Sequence, residues 1–146
     1  MARKTLQVTI TTEGRDKGKA YFVRELSSTQ AENWAIRAFL GLARGGVDLP
    51  EGVESTGFAG IAKLGFGLLS KIPFDDFKWL MDEMFTCISM IPNPDNPSVV
   101  RSLVEDDIEE IQTRFKLRAE VFALHAGFSS AGGLLTSVRR LATAAA

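Results

Sequence analysis

The chain has 146 residues, with 17 Lys+Arg, 18 Asp+Glu, one His and one Cys, and 45% of it is hydrophobic. That length fits one domain that removes roughly 70% of its unfolded surface from water on folding, and 24% charged residues with a mean hydropathy of +0.05 describe an ordinary globular composition. A formal charge of −1 excludes the broad basic footprint on which nucleic-acid binding rests. One Cys and one His can make neither an internal disulfide nor a zinc site.

The N-terminus carries Arg3 and Lys4 and then alternates through Thr5-Leu-Gln-Val-Thr-Ile, without the apolar centre of a signal peptide. The most apolar stretch, Gly57 to Ile72, is interrupted by Lys63 and has 16 residues. A bilayer span needs roughly 20. The expectation is a soluble cytoplasmic protein with no membrane contact.

Leu6, Val8 and Ile10 alternate with Gln7, Thr9 and Thr11, which predicts a half-buried strand. Glu13-Gly-Arg-Asp-Lys-Gly-Lys holds no apolar residue and predicts a solvated turn; Ala20-Tyr-Phe-Val predicts the returning strand of a hairpin. Thr29 and Glu32 match a capping box. The helix they would open carries one stripe of Trp34, Ala35, Ala38 and Leu42 and a second of Ile36, Phe39, Leu40 and Ala43, an apolar arc wide enough to be buried on more than one side. Gly45-Gly46 ends it. Gly57 to Ser70 mixes four glycines with six large apolar residues and predicts a weak, buried helix strained near Gly65.

Pro73 suits the first turn of a further helix, with Asp75 and Asp76 favoured by its dipole. Phe74, Phe77, Leu80, Met81, Met84, Phe85 and Ile88 continue at helical spacing until the prolines after Ile91. Ser98 to Val104 fits either a short third strand or the first turns of the next helix, and the strand is preferred because it would extend the hairpin into a three-stranded sheet. The clearest helix is expected from about Glu105 to Gly127, with Glu110 and Arg114 as an i,i+4 ion pair. After Gly132-Gly133 a short terminal helix would fray.

No catalytic constellation emerges. His125 lies among apolar neighbours with no accompanying Ser or Cys motif, so it reads as a packing or helix-end residue, and Cys87 reads as a small core residue. Gly65-Phe-Gly67-Leu-Leu-Ser70 fails the dinucleotide pattern, and no Gly-Lys-Ser/Thr sequence exists. Glu105-Asp106-Asp107 with Glu109-Glu110 does not match a calcium loop and reads as a dipole-favoured, solvated face, as do Asp75, Asp76, Asp82 and Glu83. No metal and no cofactor is expected.

Two stretches carry a family resemblance: Tyr21-Phe-Val-Arg-Glu-Leu-Ser-Ser-Thr-Gln-Ala-Glu-Asn-Trp-Ala-Ile-Arg-Ala-Phe, and Asp107-Ile-Glu-Glu-Ile-Gln-Thr-Arg-Phe-Lys-Leu-Arg-Ala-Glu-Val-Phe-Ala-Leu-His-Ala-Gly-Phe. Together they resemble the tail assembly chaperones of long-tailed bacteriophages and prophages, over roughly residues 19–128. The resemblance implies a non-enzymatic protein that binds the tape-measure protein and tail-tube subunits during tail morphogenesis. Such proteins work in the cytoplasm of the bacterial host and are absent from the mature virion. It transfers no site residues, and homo-oligomerisation is left open.

A chaperone of this kind must present apolar surface that its partner covers. The candidate partner-binding residues are Phe58, Phe66, Leu68 and Leu69 in the glycine-interrupted segment, set against the reading that they are plain core. The alternative function is a structural phage component, a tail-completion or head–tail connector subunit. A helical DNA-binding regulator using Arg114, Lys116 and Arg118 stands against the acidic residues interleaved with them.

The expected fold is therefore α+β and mostly α: one domain over 1–146, with a small N-terminal antiparallel sheet of two or three strands (hairpin about 4–24) packed on about four helices. The helical body would occupy about 29–128, and a flexible tail about 129–146.

Overall fold

The computed structural model describes residues 3–48 and 70–126. Strands β1 (Thr5–Thr9) and β2 (Ala20–Arg24) precede helix α1 (Ser28–Arg44). Helix α2 (Phe74–Phe85), strands β3 (Ile88–Ile91) and β4 (Arg101–Ser102), a 3-10 turn at Glu105–Asp107 and helix α3 (Ile111–Ala126) follow. The sheet is antiparallel throughout, in the order β1-β2-β3-β4. This corrects the expected sheet of two or three strands on about four helices in a mostly α protein. Four strands and three α-helices are present among the described residues, of which roughly 49% are helical and 16% strand.

The additional strand comes from residues read as helix. α2 stops at Phe85, where the Thr86 hydroxyl donates to the Glu83 carbonyl at 2.6 Å and the chain turns into Ile88-Ser-Met-Ile. Ile88 falls at helical spacing from Met84 and Phe85, but its backbone pairs with Val23 of β2, and Met90 pairs with Tyr21. A four-residue apolar run satisfies either period, and the ladder offered by β2 decides it. β4 is only two residues long and pairs with β3, so it extends the sheet beyond β3 and not beyond the hairpin.

The register aligns one face of the sheet for burial. Leu6, Val23 and Ile88 lie in one row, and Val8, Tyr21 and Met90 in the next. These residues join the core with Trp34, Leu42, Leu80, Met84, Leu117 and Val121 of the three helices. Trp34 is 1% exposed, donates its indole N–H to the Leu80 carbonyl at 2.9 Å, and meets the Phe122 ring edge-on at 6.1 Å. The indole thus links all three helices, with its polar handle satisfied.

The capping box opens α1 two residues earlier than expected. Ser27 is the cap: its hydroxyl accepts from the Gln30 N–H, and the Gln30 side chain accepts from the Ser27 N–H. Ser-x-x-Gln is the same motif as Thr-x-x-Glu, shifted along the chain. At the other end, Val47 N–H bonds to Leu42 O and Gly46 N–H to Ala43 O, a Schellman closure with Gly46 at φ +86°.

Gly45 has an ordinary φ of −77°, but a Cβ there would run into the Lys71 carbonyl oxygen. Gly45→Ala is therefore expected to lower stability by about 2 kcal/mol or more through a forced backbone shift. Urea unfolding would show this as a lower midpoint at unchanged slope. An unchanged midpoint would mean that the two segments separate at no cost.

Candidate functional site

The predicted partner-binding residues Phe58, Phe66, Leu68 and Leu69 lie outside the described residues, as does the glycine-interrupted segment up to Leu69. Two other features stand out within the described part: a polar cluster built on the hairpin loop, and apolar side chains left exposed on the helices.

The hairpin loop was expected to be a solvated turn, yet Asp16 at its centre is 1% exposed. Its carboxylate accepts the backbone N–H groups of Glu109 (3.0 Å) and Glu110 (2.9 Å), just before α3 begins, and the Lys19 ammonium at 2.9 Å. A carboxylate from the far end of the chain thus does the work of an N-cap for α3. Burial alone would raise the Asp16 pKa. Hydrogen bonds from the Thr113 hydroxyl, Lys19 and the two N–H groups outweigh it and bring the pKa down to about 2. Burial likewise disfavours the Lys19 charge, but its bonds to Asp16 and Glu109 hold the ammonium well above its ordinary pKa.

The acidic stretch before α3 is likewise not a solvated face. Asp107 is buried and takes a two-pronged bond from Arg101, both contacts at 2.7 Å, while the Val104 N–H donates to it at 2.8 Å. The Arg101 bond comes first in holding the Asp107 carboxyl below its ordinary range. The Tyr21 hydroxyl donates to the Asp107 carbonyl at 2.6 Å; burial first, and then the charge of Asp16, push its pKa up to about 12. These bonds keep 105–110 out of the α-helix, with only a 3-10 turn at Glu105–Asp107, which is why α3 starts at Ile111 and not near Glu105. Glu110 pairs with Arg15 at 3.0 Å and not with Arg114, whose guanidinium sits 4.4 Å from the Phe85 ring centroid. Asp76, also expected to be solvated, is buried between Arg37 (3.0 Å) and Arg44 (3.3 Å) and ties α1 to α2.

These carboxylates are committed to protein donors, and among the described residues no group of three or more His, Cys, Asp or Glu could hold a metal ion. His125 sits at the end of α3. Its Nε2 accepts the Leu26 N–H at 2.9 Å, so the ring proton is on Nδ1, 2.8 Å from the Val121 carbonyl. Burial lowers its pKa and keeps it neutral. Burial, and secondarily the charge of Glu83, push the Cys87 thiol up to about 12, so it remains protonated. No helix among the described residues is long and apolar enough to cross a membrane.

The helices are only half covered. On α1 the stripe of Trp34, Ala35, Ala38 and Leu42 is buried, but from the second stripe only Phe39 joins the core. Ile36 and Leu40, four residues apart on one face, remain 48% and 54% exposed. α3 repeats the pattern: Leu117, Val121 and Phe122 are buried, while Ile111 and Phe115 are 71% and 64% exposed. Phe74 stands out at the start of α2, beside a hollow of about 300 Å³ lined by Ser70, Ile72 and Phe77. The double stripe of α1 predicted burial on more than one side; Ile36 and Leu40 remain exposed instead, because the sheet and the other two helices cover only one face.

The cluster predicts how acid acts on the fold. Asp16 has a depressed pKa, so its contribution is complete above about pH 4 and disappears as pH falls towards 2. Asp16→Asn should cost about 2 kcal/mol at neutral pH and flatten the acid limb of the stability curve. Urea midpoints between pH 2 and pH 7 test this; a variant whose acid limb matches the wild type would remove Asp16 from the account.

Comparison with family models, with curated proteins and with solved structures yields no match to this chain.

Proposed function

We propose that this chain is a non-enzymatic tail assembly chaperone of a long-tailed bacteriophage. It acts in the cytoplasm of the bacterial host and leaves no copy in the mature virion. Its partners are the tape-measure protein and the tail-tube subunits. The observation that supports this reading most directly is the set of large apolar side chains left exposed on all three helices: Ile36 and Leu40, Phe74, and Ile111 with Phe115. An amphipathic segment of a long helical partner could lay its apolar face against such residues. The buried acids are engaged in ion pairs and hydrogen bonds, which agrees with a binding role and supplies no nucleophile or base.

The test is co-expression with the long helical protein encoded near this chain, followed by a solubility assay and pull-down. The partner should become soluble and co-elute. Ile36→Ser with Leu40→Ser should weaken the complex about tenfold or more, at an unchanged melting temperature, because both side chains already face water. A partner that stays insoluble while this chain elutes alone sinks the chaperone reading. Recovery of the chain from purified virions would replace it with a tail-completion or connector subunit.

A further inference from the structure

Among the described residues β1 is the outer strand of the sheet, and its neighbour is β2 alone. The bonds Glu25 N–H to Lys4 O and Ile10 N–H to Lys19 O, both 2.9 Å, show that the even-numbered residues turn their peptide groups towards β2. In an antiparallel ladder the odd-numbered peptide groups then face away. Thr5, Gln7 and Thr9 are exposed, and their outward N–H and C=O groups have no partner among the described residues.

Sheet edges are commonly guarded by a lysine, a proline, a bulge or brevity. β4, the opposite edge, is two residues long and follows a run with three prolines. β1 has no such guard across Thr5–Thr9. The nearest lysine, Lys4, sends its ammonium to the Leu124 carbonyl at 3.0 Å, towards α3 and off the edge.

The strand also reads almost the same in both directions: Thr-Leu-Gln-Val-Thr. We propose that β1 pairs antiparallel with β1 of a second copy of this chain, on a two-fold axis at Gln7. In that register Gln7 opposes Gln7 and Thr5 opposes Thr9. Every outward peptide group meets its complement, in three pairs exchanging two bonds each, about six in all. Leu6 comes opposite Val8, so the buried faces of the two sheets continue on one side, and the Thr and Gln side chains continue on the other. The contact is isologous and closes at two copies. It is independent of the proposed chaperone role.

Sedimentation velocity of the full chain, from micromolar to near-millimolar concentration, should show a reversible dimer. Gln7→Pro removes the two central donors at a position whose N–H the fold does not use, and should leave a folded monomer. Gln7→Lys and Gln7→Glu provide a second arm if the proline variant fails to fold. Each alone puts like charges across the axis and should weaken association roughly fivefold, and mixing the two should restore it. A chain that stays monomeric throughout overturns the proposal. So does a dimer indifferent to both charge variants, or a monomer that takes up an added extended peptide along β1.

Discussion

A buried carboxylate in the hairpin loop holds the two ends of the described fold together. Asp16 reaches from residue 16 to the N–H groups of 109 and 110, so the loop between β1 and β2 is anchored to the start of α3. An unpaired charge at 1% exposure would cost far more than a hydrogen bond returns, so the position is stable only with its donors in place. Lys19 serves Asp16 and also reaches Glu109 and the Asp107 carbonyl, while Arg15 binds Glu110 and the Glu109 carbonyl. Once those backbone groups are engaged, residues 105–110 cannot continue a helix backwards, and α3 begins where the loop permits. With its start fixed, α3 sets Leu117 and Val121 over the sheet and leaves Ile111 and Phe115 facing water.

Local pattern made some of this readable and hid the rest for identifiable reasons. β1 and β2 lie where the alternation of Leu6, Val8 and Ile10 and the content of Ala20-Tyr-Phe-Val place them, because a half-buried strand writes its period directly into sequence. β3 was hidden because Ile88 fits a helical step from Met84, and only the distant β2 edge chooses between the periods. The loop and the acidic stretch were both read as solvated, since each taken alone is charged and apolar-poor. Their burial is mutual, and pairing between residues more than 90 positions apart has no local signature. The same holds for Glu110 and Arg114: the helical spacing favours their pairing, but Arg15 and the Phe85 ring offer each a better partner.

The double stripes show how one sequence feature admits two structural meanings. Apolar residues around most of α1 predicted burial on two sides, but the same pattern is compatible with burial on one side and a second face left exposed. The described structure has the second arrangement at Ile36 and Leu40, and again at Ile111 and Phe115. Deep burial of Trp34, Leu42, Leu117 and Val121 supplies the core, so the outer stripes are not needed to stabilise it. That separation leaves the outer stripes free to change without the core depending on them.

Edge and faces combine in one further way. The proposed β1 pairing keeps the buried faces of both sheets on the same side, so the helices of two copies would also stand on one side of a continuous eight-stranded sheet. A long helical partner crossing that side would meet the exposed stripes twice, and its second contact would form at the effective concentration of a tethered site. A single copy offers a few isolated side chains, enough for weak and reversible contact. Two copies would hold a partner longer without any residue binding more tightly, which the proposed chaperone role would use.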